Sequence, residues 1–144
     1  MTEQPWRAPD LSLNTLSPYP LWAQLARGLR VAIIAAHLPI GTPLPSEADL
    51  SDQHGISRNT IRQAYSVLLD DGQVGKRQDL GYYVADAIEA EYIQVLPGAT
   101  VTVVAADPDH HPHIPWWAVT AIKVANPGFE PIWYDPTRTV LTVS

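Results

Sequence analysis

The stretch LPSEADLSDQHGISRNTIRQAYSVLL, residues 44–69, decides the fold, because it predicts two short helices joined by a tight turn. Ser46 can cap the first helix, and Asp49 stands three residues later as the reciprocal partner of a capping box. Gly55 can adopt the left-handed backbone conformation that ends a helix. Ser57 can then cap the second helix. The stretch therefore predicts a helix-turn-helix.

The second predicted helix has one apolar face and one polar face. Its apolar residues recur at helical spacing and can face a core: Ile61, Ala64, Tyr65, Leu68 and Leu69. The opposite face exposes groups that can read base edges in a DNA groove: Arg58, Asn59, Arg62, Gln63 and Ser66. Surface arginines usually belong to a solvated face, but within a helix-turn-helix we favour DNA contact. Tyr65 is expected to belong to the core.

The composition is that of a folded protein with one domain, or one small domain and an appendage. The chain has 144 residues, of which 46% are hydrophobic and 17% charged. No apolar run approaches the length of a membrane span, and the first residues lack a signal-peptide pattern. A cytoplasmic location without membrane contact is therefore the expectation. The absence of cysteine excludes disulfides and thiolate metal sites.

The net charge of −6 argues against a nucleic-acid partner, since phosphate neutralisation supplies much of the affinity of such proteins. The distribution weakens this objection. Residues 1–86 hold seven basic and nine acidic residues, whereas residues 87–144 hold two basic and six acidic ones. Four basic side chains also lie within twenty residues of one another: Arg58, Arg62, Lys76 and Arg77. The local field near the predicted helix-turn-helix matters more than the total charge.

The flanking segments complete a winged helix. Residues 1–19 are rich in proline and predict an extended arm, which either is partly disordered or docks through Leu11, Leu13 and Leu16. Residues 20–36 predict a helix with an apolar stripe, with Arg27 and Arg30 off that stripe. After the turn at Gly72, two β-prone runs at residues 74–78 and 82–85 predict a hairpin. Three helices and a β-hairpin wing are thus expected within residues 20–86.

Residues 20–85 resemble the DNA-binding domain of the GntR family of bacterial transcription regulators. The matching pieces are PLWAQL from Pro20, GTPLPSE from Gly41, GISRNTIRQA from Gly55, the turn at Gly72 and GYYV from Gly81. The resemblance implies a homodimer that binds a palindromic operator in double-stranded DNA. It also implies a C-terminal effector or dimerisation domain. The expected role is transcription regulation, and we favour a repressor.

The resemblance also implies which residues contact DNA. Arg58, Thr60 and Arg62 match the family's Ser-Arg-x-Thr-x-Arg positions. Together with the polar helix face, the resemblance gives this full set of candidate DNA-contacting residues: Ser46, Ser57, Arg58, Asn59, Thr60, Arg62, Gln63, Lys76, Arg77, Gln78 and Gly81. Two departures reduce the expected phosphate contacts. Ala48 stands where the family often has arginine, and the wing tip at residues 79–82 reads Asp-Leu-Gly-Tyr instead of Gly-x-Gly-Thr.

Residues 87–144 predict a small antiparallel β domain, similar to the β-rich tail of some short members of that family, so the fold class is α+β. The β-prone runs are residues 100–105, 116–124, 131–135 and 139–143. Four aromatic residues either line a small-molecule effector pocket or, as is more usual, fill a core or a dimer interface: Trp116, Trp117, Trp133 and Tyr134. A loop with His110, His111 and His113 is a weak metal candidate, because adjacent histidines rarely fit one tetrahedral site. Neither a metal nor a cofactor is expected.

Two classes of function remain open. The first is a sequence-specific regulator that binds DNA. The alternative is a winged-helix protein-interaction module, such as a partner or antirepressor of another regulator, with weak or no DNA binding. An effector sensor is compatible with the first class. An enzyme is not expected, because no nucleophile, base and orienting group recur in a catalytic arrangement.

Overall fold

The computed structural model describes residues 6–79, 81–107 and 109–143. The first five residues of the predicted arm and the wing-tip residue Leu80 lie outside this description. The elements are α1 (Leu21–Ala35), α2 (Glu47–His54), α3 (Arg58–Asp70), β1 (Val74–Arg77), β2 (Gly81–Val84), β3 (Glu91–Val95), β4 (Thr100–Ala105), a 3-10 helix (Trp116–Ala118), β5 (Thr120–Ala125), β6 (Ile132–Tyr134) and β7 (Thr139–Val143). The chain forms two compact units, one ending at Ile88 and the other beginning at Glu89.

The caps predicted for the helix-turn-helix are confirmed. The Ser46 hydroxyl accepts a hydrogen bond from the Asp49 backbone N–H at 3.0 Å, and the Asp49 carboxylate accepts one from the Ser46 N–H at 3.1 Å. Gly55 ends α2 with a φ of 66°, a conformation that is strained for residues with a Cβ. The Ser57 hydroxyl accepts from the Thr60 N–H at 3.2 Å. These local features fix where α2 begins and ends and where α3 begins.

Helix α1 buries most of its predicted apolar stripe and contacts α3, and Arg30, which lies off that stripe, is buried as well. The Arg30 guanidinium donates to the Asp71 carboxylate at 2.8 Å and to the Gln73 side-chain oxygen at 3.2 Å. Burial of a charge is tolerated because these partners satisfy it. Arg30 therefore ties α1 to the segment between α3 and the wing.

The wing is an antiparallel hairpin of β1 and β2, in which Val74 pairs with Val84 and Arg77 pairs with Gly81. The segment before α2 continues the sheet, since the Leu44 N–H donates to the Tyr82 carbonyl at 2.9 Å. The Tyr82 ring stacks on the Tyr65 ring of α3, with 3.7 Å between the ring centres. The stack and the backbone bond together hold the wing against α3 and the start of α2.

The described part of the N-terminal arm packs on the same unit. The Trp6 N–H donates to the Pro43 carbonyl at 3.2 Å, and the Gln53 side-chain amide donates to the Ala8 carbonyl at 2.7 Å. Leu11 lies against Gly28 of α1, where an added Cβ would approach it to 3.2 Å. Leu16, by contrast, is exposed. The arm is thus anchored by its first described residues and by Leu11.

In the second unit, three of the four predicted β-prone runs contribute strands to an antiparallel sheet, whereas the fourth, residues 139–143, does not join it. The unit contains this sheet with strand order β4-β5-β6. It also contains a parallel pair that the sequence did not predict, in which β3 pairs with β7 from Glu91 opposite Thr139 to Val95 opposite Val143. The long connection between these strands makes parallel pairing possible. The predicted run at residues 116–124 divides at Val119, whose φ is 56°. The 3-10 helix precedes that residue and β5 follows it.

The core of this unit contains residues of β5 and of the segment that precedes it. It includes the fully buried Trp117 and a cluster of Ile114, Ala118 and Ala121, with Trp133 packed against the cluster. Across the part of the chain that the structure describes, no helix is long and apolar enough to cross a membrane.

Candidate nucleic-acid interface

Helix α3 presents the two faces predicted from the sequence. Its buried residues are Ile61, Ala64, Tyr65, Val67 and Leu68. Its exposed residues include Arg58, Asn59, Arg62, Gln63 and Ser66. The exposed side chains supply hydrogen-bond donors and acceptors, which is the set of groups that a helix needs to read base edges.

The N-terminus of α3 carries two hydroxyl groups that contact each other. The Ser57 and Thr60 side-chain oxygens lie 2.9 Å apart, and the Ser57 oxygen also caps the helix. Backbone N–H groups at a helix N-terminus attract anions, so this end of α3 suits a phosphate. Ser46 has a comparable position at α2, but its hydroxyl and its backbone N–H are both used in the capping box.

Arg62 is held by a residue that the sequence did not single out. Its Nη2 lies 2.9 Å from Oε1 of Glu47, and its Nε lies 3.3 Å from Oε2 of the same carboxylate. The Tyr82 hydroxyl donates to Glu47 Oε2 at 2.7 Å. The Arg62 hydrogen bond is the main cause that lowers the pKa of Glu47 below its usual value. Residues from α2, α3 and β2 thus meet at one carboxylate.

The wing presents cations that lie over tyrosine rings. Lys76 Nζ is 5.1 Å from the centre of the Tyr82 ring, and the Arg77 guanidinium carbon is 4.8 Å from that of Tyr83. Both cations are exposed, as is Gln78. Gly81 begins β2 with a φ of 76°, which favours glycine at the turn. The rings restrict the cations to the surface of the wing.

The structure does not bring the four candidate aromatic residues to a single pocket. Trp117 is fully buried, whereas Trp116 is 63% exposed. Trp133 packs on the core cluster, under the ammonium group of Lys123 at 5.4 Å. Of the four, Tyr134 lines a cavity of about 230 Å³, whose other lining residues are Gln94, Leu96, Val124, Asn126, Phe129, Glu130 and Ile132. Burial, and then the charge of Glu91, raise the pKa of the Tyr134 hydroxyl.

The three histidines of the predicted loop contact different partners. His110 Nδ1 lies 2.5 Å from the Asp107 carboxylate, and this bond is the main cause that lowers the pKa of Asp107. The His111 ring stacks on Trp133 at 5.0 Å, and His113 Nε2 lies 2.9 Å from the Trp133 carbonyl oxygen. Within the described ranges, no group of three or more His, Cys, Asp or Glu side chains is placed to hold a metal ion.

Comparison with known proteins shows that part of the first unit is similar to bacterial regulatory proteins. Residues 21–84 match the model described as bacterial regulatory proteins, gntR family. The chain is 44% identical over 84 residues to the HTH-type transcriptional regulator Rv0792c of Mycobacterium tuberculosis, covering 58% of this chain and 31% of the relative. It is 33% identical over 90 residues to the HTH-type transcriptional repressor NagR of Bacillus subtilis, covering 62% and 37%. The chain therefore spans about a third of the length of these relatives.

Part of the fold is similar to a solved structure. A transcriptional antiterminator from Listeria monocytogenes superposes with a TM-score of 0.53 at 19% identity, covering 59% of this chain and 63% of that chain. At this identity the likeness concerns the fold alone.

Proposed function

From the premise that residues 21–84 are a helix-turn-helix domain of the gntR family, whose members are transcription regulators and not enzymes, we propose that this chain is a sequence-specific DNA-binding regulator. The observation that carries the proposal is the exposed polar face of α3, where Arg58, Asn59, Arg62 and Gln63 stand together beside a basic wing. Helices of this kind enter the major groove with their N-terminal residues on base edges.

Each group on this surface receives a role from its chemistry. Arg58 and Arg62 donate hydrogen bonds to O6 and N7 of guanine, while Asn59 and Gln63 form hydrogen bonds with adenine. The remaining residues contact phosphates and so set the register on the duplex: Ser46, Ser57, Thr60, Lys76, Arg77, Gln78 and the backbone of Gly81. The acidic Asp79 at the wing tip limits how closely the wing approaches the phosphates.

The finer proposal is a repressor that binds a palindromic operator as a homodimer. One relative is named a repressor, and helix-turn-helix dimers place two such helices on half-sites one helical turn apart. We assign residues 1–19 as an arm, 20–86 as the DNA-binding domain, and 87–144 as a dimerisation or effector domain. The cavity beside Tyr134 is the candidate place for a small effector in that domain.

Selection of bound sequences from a random DNA pool tests the proposal. We expect an inverted repeat to be enriched. Replacing Arg62 by alanine should weaken binding to the selected site by roughly 1–3 kcal/mol and relax the preference for one base pair. Arg27→Ala is the matched control, because it removes the same charge from α1 and should leave that preference unchanged.

One observation favours a second class of function: Glu47 already accepts hydrogen bonds from two nitrogens of the Arg62 guanidinium. In that case the winged helix would bind a protein and not DNA. The absence of any enriched sequence at low salt, together with a stable protein complex, would select this alternative and reject DNA recognition.

A further inference from the structure

The contact between Glu47 and Arg62 uses one particular edge of the guanidinium group. The carboxylate accepts from Nη2 at 2.9 Å and from Nε at 3.3 Å, which is the side edge of the planar group. Nη1 lies 3.5 Å from the Asn59 side-chain oxygen, at the outer limit of a hydrogen bond. The guanidinium plane is therefore fixed mainly by Glu47.

An arginine held in this way still has donors to offer. The guanidinium carries five N–H groups, and Glu47 accepts from one on Nε and one on Nη2. The second Nη2 hydrogen and one of the two Nη1 hydrogens lie at the end of the group, away from the side edge. That pair has the fork geometry that matches O6 and N7 of guanine. Because the group is planar and rigid, fixing its side edge also orients its end.

The carboxylate that holds Arg62 is itself fixed. The side chain of Glu47 is only 16% exposed, whereas that of Arg62 is 58% exposed. The Tyr82 hydroxyl donates to Glu47 Oε2 at 2.7 Å, and Tyr82 is in turn stacked on Tyr65. Glu47 also begins α2, where the helix dipole favours a negative charge. The orientation of Arg62 therefore depends on the first helix of the motif and on the wing.

We propose that Glu47, braced by Tyr82, is a positioning residue that orients Arg62 toward a guanine and so determines part of the sequence specificity. This inference rests on the DNA-binding function proposed above. Glu47 does not cover Arg62, since the carboxylate accepts only at the side edge of the guanidinium and the arginine side chain remains 58% exposed. Its net effect is on discrimination between bases, because an added negative charge near phosphates cannot raise overall affinity.

The test compares binding of each variant to the selected operator and to operators substituted at single base pairs. Glu47→Gln keeps the side-chain shape but removes the charge. We expect it to reduce discrimination at the base pair read by Arg62 by about tenfold, with unchanged or increased affinity for random DNA. Tyr82→Phe should also reduce discrimination at this base pair, but by a smaller factor. In Arg62→Ala, adding Glu47→Gln should reduce discrimination no further.

The matched control is Asp52→Asn, which removes the same charge from an exposed position of α2. Discrimination in Glu47→Gln that equals that of Asp52→Asn would overturn the proposal. Equal loss at every base pair would also overturn it, since a general structural role would act on all positions. Should Glu47→Gln fail to fold, base discrimination in Tyr82→Phe is compared with that in Asp52→Asn instead. If the unmodified protein enriches no operator at all, the proposed function fails instead, so the two failures are distinguishable.

Discussion

Replacing Tyr65 by phenylalanine removes one buried hydroxyl and leaves the surrounding packing in place. The Tyr65 side chain is fully buried, and its hydroxyl donates to the Pro45 carbonyl at 2.6 Å. The phenylalanine ring can keep the stack on Tyr82. Burial raises the pKa of the Tyr65 hydroxyl well above its usual value, so the group remains a donor at all ordinary pH values. The substitution therefore isolates a single hydrogen bond between α3 and the start of α2.

The size of the destabilisation follows from the Pro45 carbonyl, which loses its hydrogen-bond donor in Tyr65→Phe. A buried polar group left unpaired costs about 1–3 kcal/mol, so the free energy of unfolding should fall by about 2 kcal/mol. In a unit of this size, each kcal/mol corresponds to a change of roughly 4–8 °C in Tm. The helices α1, α2 and α3 all belong to the unit that ends at Ile88. Urea unfolding followed by the helical circular dichroism signal therefore reports on the unit that contains Tyr65.

The control is Tyr92→Phe, which removes a hydroxyl from a tyrosine that is 62% exposed in the other unit. It should leave the helical transition unchanged. The reasoning would be refuted if Tyr65→Phe unfolded at the same urea concentration as the unmodified protein, since the Pro45 carbonyl would then not depend on Tyr65. A large change in the slope of the transition would instead indicate an altered unfolded or native state.

Two further predictions concern carboxylates that accept hydrogen bonds from other side chains. Thr137→Val removes the hydroxyl that donates to the buried Asp135 carboxylate at 2.6 Å. We expect the free energy of unfolding to fall by about 1–3 kcal/mol. Tryptophan fluorescence in urea measures this change, and an unchanged midpoint would contradict the prediction. Glu47→Gln should lower the free energy of unfolding at neutral pH. Because the pKa of Glu47 is lowered in the folded state, the stabilisation exists above the unfolded value and disappears as the pH falls through the folded one. The difference between Glu47→Gln and the unmodified protein should therefore shrink in acid, and a difference that grows there would contradict this origin.

The parts of the fold that follow from short-range chemistry were predictable from the sequence. The capping box at Ser46, the left-handed Gly55 and the cap at Ser57 each depend on residues within one turn of the chain, and all three are confirmed. The polar face of α3 follows from the helical period alone. Such features need no knowledge of the rest of the molecule, since the participating atoms are neighbours in sequence.

Features that join distant segments were not predictable in the same way. The parallel pairing of Glu91–Val95 with Thr139–Val143 brings together strands more than forty residues apart, and neither strand indicates its partner. The position of Glu47 is a similar case. A glutamate in the first turn of a helix is sufficiently explained by the helix dipole, so nothing pointed to Arg62 fifteen residues later. The burial of Arg30 could not be predicted either, because its partners Asp71 and Gln73 follow it by more than forty residues.

The same contacts bear on the acidic balance of the chain, which argued against a nucleic-acid partner. Some carboxylates of the first unit are already paired with its own cations, as Glu47 is with Arg62 and Asp71 with Arg30. A paired arginine adds less to long-range attraction for phosphates, but its remaining donors are oriented. General attraction in the proposed interface therefore falls mainly to Arg58 and the two cations of the wing. In such a protein, non-specific charge attraction contributes less of the binding free energy, and hydrogen bonds to the correct base pairs contribute more. Its selectivity should therefore exceed what its affinity for random DNA suggests.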